Sequence, residues 1–443
     1  MTSAAPAVGE SEHLRLEQIG SPAAAGVRAH ERIDPYFSDF WPVGSKASWL
    51  NIHQLRRAEA GGWAKRPWWL AEHEERARAR LTGPRLPETL QVLGALRSWQ
   101  NVSAEQLAAI TGIDRIGTGR AALMTDLFNL GLVEIGVHTD AAARTSLSAR
   151  SNIYRLTRDT AVERLVWPVT TYAERLKITG GLDTRASGAG GHDRHGVLAT
   201  ELGLRAAETH ALSAVLGENV GRVQDILGTG WNRTFTADEV WVRTDGMLIA
   251  LELTATPTTV ERKIARWAHL LASRPMQALP LTVLFVTAEN PNIDASASRN
   301  VRKKTFHAVR TGVRDTPGHP GNRTAERIGV VDWRDWFPAP GQATVWFPAL
   351  SAWFATGAPA QPWESRSLLD PFEFEVGDTS EDVLAQLGAL YANPVWLRPA
   401  PGATIDPVTP ALAAEFGYPV QALAPPPGHG AVGGGGLPER LRW

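Results

Sequence analysis

A chain of 443 residues, 43% apolar and 21% charged, is long enough for two to four domains with buried cores. Its 45 Lys and Arg against 46 Asp and Glu leave a formal charge of −1. That balance excludes a uniformly basic nucleic-acid coat and an acidic solvating tail, so affinity for DNA has to come from local patches. The absence of cysteine excludes a disulfide scaffold, a Cys-ligated zinc or iron–sulfur centre and a thiol nucleophile. No run approaches 18 consecutive apolar residues, and the first residues lack the charged start and apolar stretch of a secretory signal. A soluble, cytoplasmic protein is expected, with no membrane partner.

In chain order, residues 1–35 are small and polar and read as a disordered tail. Residues 36–85 are aromatic and basic, with Trp41, Trp49, Trp63, Trp68 and Trp69; from Arg56 to Arg85 there are eight Lys/Arg and four Glu. Such interleaving either stacks on bases and grips a backbone or, the plainer reading, makes a helical flap whose tryptophans pack on the next domain. Over 86–179, Pro87 suits a first helical turn, and Ser103 with Gln106 forms a capping-box pair before a second helix that Gly112 ends. A third helix is expected from Thr118 to Leu130, followed by two strands, LVEIGVHTD and NIYRLT, around a polar loop.

Three short helices and a hairpin resemble a winged helix-turn-helix, which implies duplex DNA as partner. Arg115, Thr118 and Arg120 would then sit at the end of the third helix that enters the major groove. The wing and its second strand, 141–158, carry Arg144, Arg150, Arg155 and Arg158 and no acid, which suits phosphate contact. A winged helix used only for protein contacts is the alternative.

Residues 180–194 are Gly-rich and read as a linker. Over 195–337 the order helix–β–β–helix–β–helix–β predicts a mixed-sheet α/β core, its hairpin turned by Asp245-Gly246. The helix near 299–314 carries Arg299, Arg302, Lys303, Lys304, Arg310 and Arg314 with no acid, either a solvated face or a phosphate track. Residues 338–443 are Pro-rich with a low-complexity tail, and 364–382 hold seven acids against one Arg. The acidic stretch and the Trp-rich N-terminal region are the candidate docking sites for protein partners.

The chemistry-bearing residues are Glu201 on the first helix of the core, Asp238 opening the hairpin, Glu252 fourteen residues on, and Lys263 on the next helix. This arrangement resembles the PD-(D/E)xK nuclease superfamily, with two departures: Ala237 replaces the proline and Thr254 stands where the lysine belongs. The resemblance implies Mg²⁺ held by Asp238 and Glu252, Glu201 as a further ligand, and Lys263, beside the Val260–Ile264–Trp267–Leu271 stripe, substituting for the missing cation. Without that substitution the core is a nuclease-derived fold that has lost cleavage. His192 and His195 form a weak zinc pair; His195 could instead touch the scissile phosphate. The two-part order, with D238xxWV, the DG turn, LELTA and K263, also resembles the actinobacterial replication-relaxation family of plasmids and mobile elements. Two functions stay open: a DNA-processing or DNA-gripping protein, and a regulator or assembly factor using the α/β core as an interaction platform.

Overall fold

The computed structural model describes residues 13–38, 41, 46–70, 73–117, 119–139, 152–180, 193–221, 236–273, 280–290, 295–358, 362–370 and 381–399. The first half runs β1 (His13–Arg15), β2 (Lys46–Leu50), α1 (Ile52–Ala60), α2 (Glu74–Leu81), α3 (Leu86–Trp99), β3 (Val102–Ser103), α4 (Ala104–Thr111), α5 (Leu123–Asn129), β4 (Val133–Thr139), β5 (Asn152–Leu156), α6 (Ala161–Leu165) and α7 (Tyr172–Thr179). The second half begins with α8 (Asp193–Thr209), β6 (Leu212–Gly217), β7 (Glu239–Arg243), β8 (Leu248–Thr254), α9 (Val260–Ser273), β9 (Leu281–Thr287) and α10 (Ala295–Asp315). It continues through β10 (Gly318–His319), β11 (Asn322–Arg323), β12 (Ile328–Asp332), α11 (Trp333–Trp336), β13 (Gln342–Thr344), β14 (Ser351–Ala355), β15 (Trp363–Ser367) and α12 (Glu381–Gly388). The protein is mixed α/β.

Local chemistry sets the boundaries. Ser103 Oγ accepts from the Gln106 amide at 3.1 Å while Gln106 Oε1 accepts from the Ser103 amide at 3.0 Å, closing the capping box that starts α4. Gly112 ends that helix at φ 69°, where a side chain would be strained. The Asp245-Gly246 pair turns β7 into β8, Gly246 taking φ 84° and Asp245 Oδ1 accepting from the Met247 amide. The third helix is shorter than its spacing predicts. Residues 113–117 and 119–122 form loop and turn, and only Leu123–Asn129 is helical. Gly117 and Gly119 each weaken a helix by about 1 kcal/mol, and Ala121 turns left-handed at φ 55°.

The main sheet has the order β15-β14-β12-β9-β8-β7-β6, with β8, β9 and β12 parallel and the flanking pairs antiparallel. All seven residues of β9 are buried, as its unbroken apolar run requires of a strand covered on both faces. One face packs under α9 and α10. The other shares a single core with the first half of the chain, running from Leu90, Leu93 and Tyr154 through Leu198 and Leu202 to Trp241 and Trp336. Bonds stitch the two halves: Trp99 Nε1 donates to the Ala392 carbonyl at 2.8 Å, and Gln106 Nε2 to the Val197 carbonyl at 2.9 Å. The two regions are therefore packed as one body. Of the expected linker, residues 181–192 lie outside the described residues.

Three segments depart from expectation. Residues 13–35 are not a loose tail: β1 pairs with β13, and Arg32 and Asp34 reach α8 as a strap. The main sheet does not stop near 337, because β14 and β15 extend it and residues 381–399 pack back on α3 and α4. The tryptophans of 36–85 divide. Trp41 is buried and donates to the Glu289 carbonyl at 2.6 Å, whereas Trp63 and Trp68 are 86% and 74% exposed. Among the described residues no helix is long and apolar enough to cross a membrane.

Candidate functional site

Asp238 stands just before β7, where the β7–β8 ladder ends. Its amide donates to the Leu251 carbonyl at 2.9 Å, and its Oδ2 accepts from the Leu253 amide at 2.7 Å. The side chain thus continues the ladder by one bond and is locked beside β8. Its Oδ1 lies 2.9 Å from His195 Nε2, near the start of α8. Glu252 points to the α9 side of the sheet, in step with Leu248 and Ala250. Its Oε2 accepts from Lys263 Nζ at 2.6 Å and its Oε1 from Trp267 Nε1 at 2.8 Å. Lys263 and Trp267 are i and i+4 on α9, so one helix face delivers both donors. Thr259, one turn before Lys263, holds φ 70°, a strained setting for a β-branched residue.

Glu218, just after β6, completes the group. It accepts from Gln100 Nε2 at 2.6 Å and feels the charges of Asp238, His195 and Lys263. Burial pushes the Glu218 carboxyl up, and the Asp238 charge pushes the same way. Burial and the Asp238 charge likewise raise Glu252, against the pull of Lys263. Burial opposes ionisation of Asp238 too, but His195 and Lys263 outweigh it and hold its carboxyl below the usual range. Burial would strip the proton from His195; the facing Asp238 more than restores it, so the imidazole is held above its ordinary value. Lys263 is raised in the same way, Glu252 and Asp238 overcoming desolvation. The result is three carboxylates and two cations in mutual electrostatic contact at one end of strands β6, β7 and β8. Glu239, the neighbour of Asp238, is not part of it. It lies on the opposite face against Trp241 Nε1 at 2.8 Å, and burial pushes it well above the carboxylate range.

Of the four residues expected to converge, Asp238, Glu252 and Lys263 do so and Glu201 does not. Both Glu201 oxygens are taken by the fully buried Arg32, at 3.1 and 2.9 Å, and by Arg205 at 3.1 Å. Burial would raise its carboxyl, yet Arg32 and Arg205 hold it below the ordinary value. The helix position that suggested a ligand instead anchors the N-terminal strap. Thr254, at the place of the missing lysine, is buried with a hydroxyl that has no partner among the described residues.

The expected DNA contacts are altered by their surroundings. Arg115 and Arg120 are exposed, but on the loop before α5 and not on a helix. Every residue of α5 is buried, and α2 lies across it, Arg80 of α2 gripping Asp126 at 2.6 and 2.8 Å. A helix buried on all sides cannot enter a groove. Arg155 is paired with Glu134 of the neighbouring strand at 2.6 Å and lies 4.0 Å over the Trp49 ring, which cancels its charge for phosphate. Arg302 bonds Asp335 at 3.1 Å and covers Phe306, whereas Lys303 and Lys304 stand exposed on α10. Thr118, Arg144 and Arg150 lie outside the described residues.

His195 was legible as a histidine near the site but not as the partner of Asp238. Glu218 was hidden because the predicted order runs from the first helix of the core straight into the hairpin, whereas an additional strand, β6, lies between them and Glu218 follows it directly. Among the described residues no three His, Asp or Glu side chains are gathered closely enough to hold a metal ion unaided. Magnesium asks for less, since one or two carboxylates with water and phosphate oxygens suffice, and the hard oxygens of Asp238 and Glu252 suit it. No family model, curated protein or solved structure matches the chain.

Proposed function

We propose that the chain is a DNA-processing protein whose α/β core carries a nuclease-type centre built from Asp238, Glu252 and Lys263. One observation carries this reading: α9 brings Lys263 Nζ to 2.6 Å from Glu252, supplying the cation that Thr254 cannot. Asp238 and Glu252 would hold Mg²⁺, which when bound supplies charge for a scissile phosphate and a more acidic water. Lys263 then faces the place where negative charge develops. His195, held protonated by Asp238, can give a hydrogen bond or a proton to a leaving oxygen.

The order α3-β3-α4-α5-β4-β5 supports the winged-helix reading of residues 86–156, but as a scaffold. With α5 covered, contact with duplex DNA falls to the exposed Arg115 and Arg120 and to Lys303 and Lys304. The likeness to the replication-relaxation family makes plasmid or mobile-element DNA the substrate to try first.

Plasmid and linear duplex are incubated with the full chain and Mg²⁺ or Mn²⁺. Asp238→Asn, Glu252→Gln and Lys263→Met should each lower cleavage at least 100-fold while duplex binding persists. Absence of both cleavage and metal-dependent thermal stabilisation in the wild type sinks the catalytic reading. The regulator reading would then stand; it is favoured by the fact that all four oxygens of Asp238 and Glu252 already accept a bond within the chain.

A further inference from the structure

The segment between α1 and α2 has no role in the centre at β8, yet its build is unusual. Trp63 and Trp68 are the two most exposed large apolar side chains among the described residues, at 86% and 74%. Neither is exposed through slackness. The end of α1 closes with Gly61 N donating to Arg57 O at 2.9 Å, Gly62 N to Glu59 O at 3.0 Å and Trp63 N to Ala58 O at 2.8 Å. Gly62 holds φ 72° there, and the Trp63 ring lies over Gly61 without being covered. Such caps usually bury the hydrophobic residue that follows the glycine; this one presents it to solvent. Arg66 then folds back onto Glu59 of α1 with two bonds, 3.0 and 2.7 Å. Trp68 opens a short turn in which Leu70 N donates to Pro67 O and the Leu70 side chain is buried as its anchor.

The loop is thus fastened at three points and holds two indoles outward, five residues and no more than about 18 Å of chain apart. The chain on either side carries more cations than acids. Arg57, Lys65, Arg76 and Arg78 are exposed, and among the described residues none of them is paired with a carboxylate. Of the acids, Glu59 and Glu74 are spent on Arg66 and Arg56, and Glu75 is exposed with no cation partner among the described residues. A pocket-filling protein hot spot would set its tryptophans among apolar neighbours, whereas 61–67 is Gly-Gly-Trp-Ala-Lys-Arg-Pro. Flat aromatic faces among mobile cations are what unpaired bases on a phosphate chain need.

We infer that residues 57–70 and 73–78 form an aromatic–basic clasp for single-stranded DNA, with Trp63 and Trp68 stacking on bases and Arg57, Lys65, Arg76 and Arg78 holding phosphates. The clasp goes beyond the nuclease-type centre and does not depend on cleavage there.

The test uses the full chain and a thirty-nucleotide oligo-dT, with an abasic oligonucleotide of equal length as control. The oligo-dT should quench indole emission and bind at least tenfold more tightly than the abasic chain. Trp63→Ala/Trp68→Ala should lose at least tenfold in oligo-dT affinity with its melting temperature unchanged, since neither ring is buried. Trp63→Phe/Trp68→Phe should recover part of the loss. Equal affinity for the two oligonucleotides, or an unchanged double variant, overturns the clasp. Binding of the same surface to a protein partner in place of oligo-dT overturns it too. Binding is measured in EDTA, where no metal-dependent cleavage takes place, so failure of one proposal is read separately from failure of the other.

Discussion

Replacing Arg32 by methionine is the most direct probe of how the N-terminal strap holds the core. Arg32 gives Glu201 two bonds and Glu208 a third, and all three side chains are essentially sealed from water. Methionine keeps most of the volume and removes the charge, leaving two buried carboxylates with Arg205 as the remaining cation beside Glu201. Removing one partner of a buried ion pair costs about 3–5 kcal/mol, a large part of the roughly 5–15 kcal/mol that a native protein commands. Because the pair is desolvated, the loss should be nearly the same at 0.05 and 1 M salt. Urea denaturation followed by tryptophan emission and circular dichroism measures it. The variant Arg32→Met/Glu201→Gln/Glu208→Gln, which leaves no orphan charge among the three, should recover a substantial fraction. An Arg32→Met protein within about 0.5 kcal/mol of wild type would refute the argument, since that is the scale of an ordinary surface substitution. The same series bears on the centre: Glu201→Gln should lower stability and leave the metal dependence of any cleavage untouched.

Three further outcomes are expected. His210 is buried among Trp241 and Phe347, and burial pulls its imidazole down to about 4. The unfolded chain therefore binds a proton below pH 6.5 that the fold refuses. Stability from this group is complete above pH 6.5 and falls by about 3 kcal/mol as pH drops through 4. His210→Phe should flatten that part of the pH–stability curve, and an unchanged curve rejects the assignment. A Cβ on Gly94 would lie 2.3 Å from Tyr391 Cβ, so Gly94→Ala should cost about 1–3 kcal/mol and speed amide exchange across 384–398. Exchange unchanged there would show that the segment does not rely on α3. Cleavage of the backbone within 181–192 should leave two fragments that elute together until denaturant is added, because they share one core; separation in native buffer would contradict it.

Elements whose ends are written in short-range chemistry were legible. Ser103 with Gln106 marks α4, Asp245-Gly246 marks the β7–β8 hairpin, and the apolar run of β9 marks a doubly covered strand. Asp238, Glu252 and Lys263 were singled out by resemblance to the nuclease pattern, with helical periodicity placing Lys263 beside the core stripe. What failed were inferences about which face is covered. Glu201 has the helical setting of a ligand, and only Arg32, 169 residues away in sequence, shows that it is a structural anion. Arg155 lies in an acid-free stretch, yet Glu134 sits across the ladder from it. The helix expected to read DNA is buried by α2, a neighbour that no local pattern announces. Residues 13–35 looked like a tail because the partners that fix them, β13, α4 and α8, lie far away in sequence.

The fasteners that close the core join distant parts of the chain. Trp99 waits for Ala392, 293 residues later, and the Ile110 carbonyl for Arg398, 288 residues later. A ribosome adding about 5–20 residues per second completes β5 and then needs roughly 12–50 s to reach residue 399. Over that interval the α3 surface that will receive 381–399, with Gly94 and the indole N–H of Trp99, lacks its final cover. Recovery of folded protein is then a race between translation and self-association. It should improve with faster elongation or with a chaperone that shields α3, independently of how stable the finished molecule is.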